Sequence, residues 1–568
     1  MQTNRSRVGV VLLGLGLAGS STLLPATLLA AVPIITSFTP TSGPIGTKVV
    51  VKGTALTGAT AVQFDGTSAV FTGNTAIQLT ATAPATGTGP IAITTAGGTA
   101  TSTTPFTVTP GVTLAPKTGH PSTAVTVTGA GFGAYTSVDV YFDTADTALA
   151  VSNGLGVVSI QIRVPPSGQP GMHWITLDER ANHYAAQQAF TVNTNWLLPG
   201  FAAAETGANA FENTLNTSNV AELDTAWTQP SGEVGNPSPF VEVNGNVFVA
   251  DINGGIHAYS SAGKLLWTAA VPSSAQVQAP ASNATLVFFS NGSAVYAFKT
   301  ACRTDGGVCT PTWSTDIGTT VTAGLTVFQN ELYVPGADGS VHPLNPATGV
   351  LGTPFNNGTP VFGAVITPVT FAADGTFYYG TGNAVISGTP GNSNFTSFGG
   401  IGTLTVSPIA VSAGRAFFTT SDGYLRTLGS LSQPTSGTGC IPAPVAANNL
   451  IYAGGCTSIG AFESGSGTLA WSVTTTLGDV RGLAVANGVL YACEAYGLVA
   501  YDAARGTLLW SGAGCTSAPV VANGVVFGAS GSISAYSLPG FSPTEVAARP
   551  ELTELKPDYR LAAQRTAN

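Results

Sequence analysis

Short apolar runs separated by glycine or asparagine turns dominate the chain, and from residue 222 they recur with one grammar. An apolar strand carrying a proline leads to a turn, often Asn-Gly. A strand rich in Val, Tyr and Phe follows, then a Gly-containing turn and an apolar-aromatic strand. The best copies close with a further Gly turn and Leu-x-Trp, as in AYDAARGTLLW (500–510), AFESGSGTLAW (461–471) and AYSSAGKLLW (258–267). Asn-Gly between alternating apolar runs predicts tight hairpins, because both turn residues need positive φ. Eight strand-plus-turn starts can be read, at 238, 279, 323, 367, 407, 443, 482 and 518. Their spacing fits a four-stranded propeller blade, which takes about 40 residues, and is too long for a leucine-rich repeat. The last copy stops at AYSLPG (535–540) without its Trp strand, and LDTAWTQ (223–229) precedes the first full copy. The pattern predicts a ring over 195–540 of eight blades, with seven as the alternative, closed by that N-terminal strand so that no sheet edge is left open.

Ahead of the ring, residues 32–109 alternate apolar and polar positions in short strands (KVVVKG, AVQFDG, IQLTATAP, PIAITT, PFTVT), which predicts a β-sandwich. The text PIITSFTPTSGPIGTKVVVKGTAL, with Pro40, Gly43, Gly46, Gly53, Phe64 and Phe106, resembles the IPT/TIG family of immunoglobulin-like domains. Residues 110–194 repeat the plan more loosely, with Gly119, Val125, Val127, Gly129 and Phe132, and read as an immunoglobulin-like relative. Domains of this kind are expected to serve as spacers or adhesion units. The fold class is therefore all-β: two immunoglobulin-like sandwiches followed by a propeller.

The first residues change the cellular context. MQTNRSR and the apolar VGVVLLGLGLAG precede Ala30 and Ala31, so residues 1–31 read as a secretory signal peptide. No cysteine follows the apolar core, which disfavours a lipid anchor. No other apolar run is long enough to span a bilayer. The expected location is secreted, periplasmic or cell-surface.

Composition narrows the chemistry. Charged residues make up 8% of the chain, the net charge is −9, and glycine alone contributes 71 residues. No basic cluster exists to bind nucleic acid. The tail, 541–568, is rich in charge and is expected to be a mobile extension. Six cysteines, Cys302, Cys309, Cys440, Cys456, Cys493 and Cys515, lie in the ring without CxxC spacing, which favours three disulfides over zinc. Cys302 and Cys309 flank one loop. Cys440 and Cys456 fall opposite each other across a hairpin turning at Asn448-Asn449. Cys493 and Cys515 remain to link adjacent blades.

The ring resembles the PQQ-like propeller family, named for its quinone-dependent members, and the text from Asn195 to Trp227 resembles that family's lead-in segment. The resemblance implies that Trp227, Trp267, Trp471 and Trp510, with Trp313 after an insertion, pack on turn glycines of neighbouring blades such as Gly263, Gly467 and Gly506. Blades three to five depart from the pattern: GVLGTPF (349–355) lacks the Trp, and 383–405 is hardly recognisable. The quinone enzymes carry a pair of adjacent, bonded cysteines and a calcium site of carboxylate and amide oxygens, and no two cysteines are adjacent here. Another relative is a periplasmic propeller that scaffolds outer-membrane protein assembly. Candidate acids and bases are few. His120, His173 and His183 are scattered through the second sandwich, and only His257 and His342 lie in the ring. Asp251, Asp338, Asp422 and Glu494 fall at or near second turns, where an Asp commonly bonds its own backbone. No catalytic, cofactor or metal residue is singled out. The expectation is a monomeric, non-catalytic protein that recognises a protein or glycan across the propeller face, with a quinone-dependent oxidoreductase as the alternative.

Overall fold

The computed structural model describes residues 30–230, 239–251, 254–272, 277–355, 363–391, 395–398, 404–428, 432–542, 547–561 and 563–565. Most of the expected signal peptide therefore lies outside the described residues. The chain divides into two compact units, one made largely of the first sandwich and one holding everything after Gly111 apart from two short segments.

The first unit pairs a four-stranded with a five-stranded sheet. Alternation along Lys48–Thr54 buries Val49 and Val51, and Ile91, Ile93, Phe64 and Phe106 meet them from the other layer. Period-two patterning thus sends one side of each strand into a shared core.

In the second unit, the second sandwich sets a three-stranded sheet against a six-stranded one. The sixth strand was not expected. Ala563–Arg565, from the C-terminal tail, pairs in parallel with the edge strand Ala145–Val151. The tail is therefore not the mobile extension its charge suggested. Ala547 N–H donates to Met172 O (2.8 Å), and Trp174 Nε1 donates to Ala547 O (3.1 Å). Arg549 lies over the Trp174 ring, Arg180 lies over Tyr559, and Leu555 is buried. Of the tail's charges, Arg549 finds partners on the sandwich in Trp174 and Gln187, Arg560 pairs with Asp558 inside the tail, and the strand covers an otherwise open edge.

Eight successive sheets follow, beginning with Val241–Val243, Asn246–Ala250, Gly255–Ser260 and Leu265–Ala270. The inner strands of the others are Ala281–Ser282, Thr326–Phe328, Thr370–Phe371, Ala410–Ser412, Val445–Ala447, Val480–Ala486 and Val520–Ala522. The last inner strand touches the first, so the array closes into a ring. Asp224–Pro230 completes the eighth sheet by pairing antiparallel with Ser532–Ser537, as the missing Trp strand required. In six of the sheets the turn after the inner strand has the paired left-handed backbone expected of Asn-Gly, as at Asn244 and Gly245 (φ 53° and 80°) and at Asn523 and Gly524 (53° and 73°), while sheets two and four have one such residue, Ala284 and Gly375.

The lead-in, 196–209, runs around the inside of this ring at the end that carries those first turns. It accepts an inner-strand N–H from six of the sheets, almost always at the same register position, two residues before the turn. Glu242, Ser282, Phe371, Val411, Ala446 and Val485 donate their backbone N–H to Trp196, Leu197, Ala203, Ala204, Thr206 and Gly207 in turn, at 2.7–2.9 Å. In the eighth sheet the Asn209 side chain donates to Val521 O (2.8 Å). Among the described residues only the third sheet is passed over, where Leu198 and Phe201 pair with each other. An internal chain thus occupies the first-turn end of the axis, and among the described residues no such segment crosses the opposite end, formed by inner-strand starts and second turns.

Candidate functional site

At the second-turn end, alternate sheets carry an acid that bonds the strand following its own turn. In sheet one, Asp251 Oδ1 accepts from Gly255 N (2.9 Å), and His257 Nε2 lies 3.4 Å from Asp251 Oδ2. In sheet three, Asp338 accepts from Ser340 N (3.0 Å) and faces His342 Nε2 at 3.2 Å. Both aspartates thus bond backbone as turn residues do, with a histidine added. In sheet five, Asp422 meets Arg426 at 2.5 Å and accepts from Thr420 Oγ1 at 2.6 Å. Partial burial pushes the Asp422 carboxyl up, but these two bonds outweigh it and hold it below the usual range. In sheet seven, Glu494 is fully buried. It accepts from Tyr501 Oη and from Leu477 N, both at 2.6 Å. Burial, and then that bond, raise the Tyr501 hydroxyl. Each acid is therefore engaged within its own sheet.

All three disulfides are formed, and two of them stiffen this face. Cys440, before the inner strand of sheet six, joins Cys456 in its second turn, and Cys493 of sheet seven joins Cys515 at the approach to sheet eight. Two tyrosines stand out from the same end: Tyr496, in the second turn of sheet seven, is 81% exposed, and Tyr424, in sheet five, is 37% exposed. Arg426 lies 5.0 Å over the Tyr424 ring. Cys302–Cys309 is elsewhere. It closes the third-turn loop of sheet two, which lies along the outer strand of sheet one through Gly306 N to Leu266 O and Cys309 N to Thr268 O.

The tryptophans lie at the seams between sheets. Their Nε1 atoms donate across the seams to backbone carbonyls, four of them in turns: Trp227 to Ser261 (2.7 Å), Trp267 to Thr300 (3.4 Å), Trp313 to Pro346 (3.0 Å) and Trp471 to Ala503 (3.1 Å), with Trp510 to Leu223 (3.0 Å) just before the closing strand. Sheet five has no tryptophan, and Arg415 takes over this bond. Its Nη1 reaches Ser464 O (2.5 Å) and Gly465 O (2.8 Å) in the turn of sheet six. Ser464 precedes its turn glycine by three residues, as Ala503 does, so the guanidinium replaces an indole at an equivalent carbonyl. A repeat pattern searched for Trp passes over it.

Two carboxyls at the first-turn end also escaped the sequence reading. Glu205 is fully buried in the lead-in, and one of its oxygens has no partner. Burial pushes it up to about 8 against a backbone bond from Gly200. Glu242 is also pushed up to about 8 by burial, against bonds from Gly245 N and Asn523 Nδ2. No sequence motif marks either, since burial comes only with the circling chain.

Comparison with known proteins places this geometry in a class. Residues 212–351 and 456–540 match the family described as outer membrane protein assembly factor BamB, and residues 33–109 match the IPT/TIG domain. The ring thus has a β-propeller fold, with residues 212–351 and 456–540 matching PQQ-like repeats, and the first sandwich is an IPT/TIG domain. Among solved structures, the chain is similar to quinohemoprotein alcohol dehydrogenase from Comamonas testosteroni at 15% identity, with 62% of this chain and 82% of that one covered and a TM-score of 0.50. Quinohemoprotein alcohol dehydrogenase ADHIIG from Pseudomonas putida HK5 gives 13% identity, 63% and 82% coverage and a TM-score of 0.50. BamB from Moraxella catarrhalis gives 11% identity, 56% and 99% coverage and a TM-score of 0.44. Comparison with curated protein sequences finds no match. Likeness at these identities concerns the fold.

The donor set does not fit the quinone enzymes' cradle. The cysteines are joined across 7, 16 and 22 residues, so the adjacent-cysteine bridge has no counterpart. Among the described residues no three His, Cys, Asp or Glu side chains could hold a metal ion.

Proposed function

We propose that this is an exported recognition or scaffold protein, whose eight-bladed propeller binds a protein or glycan across its second-turn face. The observation that carries the reading is the construction of that face. Its acids are spent on partners in their own sheets, two disulfides stiffen it, and Tyr424 and Tyr496 project from it. A stiffened surface loses less entropy on binding, and exposed tyrosines supply large contact area against sugar rings or peptide groups. Three disulfides and the match to an outer-membrane assembly factor family support a location outside the cytoplasm. No helix among the described residues is long and apolar enough to cross a membrane. The two sandwiches serve as spacers, and the chain works as a monomer.

The full chain is tested on glycan and peptide arrays beside Tyr496→Ala. Selective binding that falls at least tenfold in the variant is the expected result, and binding unchanged by it would sink the assignment of the face. The alternative, a quinone-dependent oxidoreductase, rests on the fold of the alcohol dehydrogenases and is tested by dye-linked alcohol oxidation after adding quinone and calcium. Turnover there would overturn the non-catalytic reading.

A further inference from the structure

The circling lead-in breaks its rhythm once, and the break coincides with a cavity. By register, Val327 is the third-sheet residue matching Glu242, Ser282, Phe371, Val411, Ala446 and Val485. It lies two residues before a left-handed turn at Gln329 and Asn330 (φ 47° and 63°) and pairs with Leu332 as Val411 does with Ala416. The six matching N–H groups each donate to the lead-in. No group among the described residues takes the N–H of Val327, because Leu198 to Ala202 turn back on themselves at this point. The space left is a cavity of about 390 Å³, lined by Leu198, Phe201, Ala202 and Ala203 of the lead-in, by Val327, and by His120 and Phe211.

His120 supplies the complementary group. Its Nδ1 lies 2.7 Å from Pro121 O, which can only accept, so that nitrogen carries the proton and Nε2 of the neutral ring is an acceptor. The ring stacks on Phe211 with centroids 3.6 Å apart and planes 17° apart, presenting a flat wall. The polar side chains of the lining, Asn193, Thr194, Asn195, Ser282 and Asn283, each bond a neighbour within the fold, the rest apart from His120 is apolar or aromatic, and no charged side chain lines it. That is the composition of small-molecule sites, which favour junctions between domains. A cavity of about 150 Å³ takes a single benzene ring, so this one has room for two or three rings.

We propose that this cavity, at the opposite end of the propeller from the recognition face, binds a neutral fused-ring aromatic bearing a hydroxyl. The ring lies against His120 and Phe211, and the hydroxyl donates to His120 Nε2. A polar oxygen on the ligand takes the Val327 N–H.

The test uses the full chain with 2-naphthol and naphthalene as probes, read by calorimetric titration. Wild type is expected to bind 2-naphthol saturably at one site. His120→Phe keeps a flat ring and removes the acceptor. It should weaken 2-naphthol about tenfold, the worth of one hydrogen bond of about 1.4 kcal/mol, and leave naphthalene unchanged. Ala202→Phe fills the cavity and should abolish both. Hydrogen exchange on wild type gives a readout independent of any variant: 2-naphthol should slow exchange in peptides covering 197–203 and 325–333. Absence of saturable binding up to the solubility limit overturns the proposal. So do equal 2-naphthol affinity in His120→Phe, retained binding in Ala202→Phe, or unchanged exchange in those two peptides.

Discussion

Gly506 offers the sharpest test of how the ring is held together. It sits in the third turn of sheet seven at φ +72°, where an L side chain is strained. A Cβ built there would lie 2.6 Å from Cε3 of Trp471, which reaches across the seam from sheet six. Trp471 also donates to Ala503 O in that turn, so the ring cannot retreat without stretching its bond. Gly506→Ala therefore adds two costs. The left-handed backbone costs roughly 1–2 kcal/mol for a residue with a Cβ. Forcing an indole out of a filled seam costs about 1–3 kcal/mol more. Gly531→Ala separates the two, since Gly531 has φ +65° but no atom within 4 Å of its built Cβ. Guanidinium unfolding followed by near-ultraviolet circular dichroism should place Gly506→Ala about 1–3 kcal/mol below Gly531→Ala. Losses equal to within about 0.5 kcal/mol would refute the seam argument and leave only the turn geometry.

Three further outcomes follow from the same structure. Arg415→Ala removes two charge-assisted bonds to the turn of sheet six and should cost about 1.5–3 kcal/mol in the same unfolding experiment. Recovery by Arg415→Lys should be incomplete, because one ammonium does not reproduce the guanidinium's geometry. Glu205 holds its proton to about pH 8 when folded, against an ordinary 4.5. Between those values the unfolded chain binds fewer protons, so stability falls as pH rises from about 4.5 to 8, by something of order 5 kcal/mol. Glu205→Gln should flatten the fall in melting temperature across that range by about one proton's worth, with the remaining slope shared by Glu242, Asp146, Asp178 and His173, whose values are also raised. Deleting 547–568 bares Trp174 and the edge strand Ala145–Val151, so tryptophan emission should shift to the red and light scattering should report self-association.

The repeat grammar carried most of the fold, for a physical reason. Asn-Gly turns and alternating strands are local signals, and each sheet forms from residues close in sequence. The closing strand was legible because a missing Trp strand at one end and a spare one at the other leave a single way to avoid an open edge. What stayed hidden depends on distant pairing. Nothing local in 196–209 shows that its carbonyls will meet six inner strands. Nothing in the tail's charge shows that Arg549 will find Trp174. Arg415 was missed because a guanidinium and an indole share no sequence signature, although both deliver an N–H to the same carbonyl. The buried state of Glu205 follows from the circling chain and could not precede it.

The lead-in also explains why one end of the ring is the plausible recognition face. A propeller's inner strands present unpaired N–H groups along its axis, and each left bare in an apolar setting would cost about 1–3 kcal/mol. Here six are satisfied by one segment of the same chain, which also carries the junction to the second sandwich through Thr194: its N–H donates to Asn523 Oδ1 and its hydroxyl to Glu212. That end is therefore committed to holding the ring closed and the sandwich attached. Binding energy spent there by a large partner would first have to displace bonds the fold depends on. The second-turn end has no such segment among the described residues, and its stiffening comes from disulfides and in-sheet pairs that leave Tyr424 and Tyr496 exposed. A macromolecular ligand meets the least cost there, and the third-sheet gap at the other end leaves room only for something small.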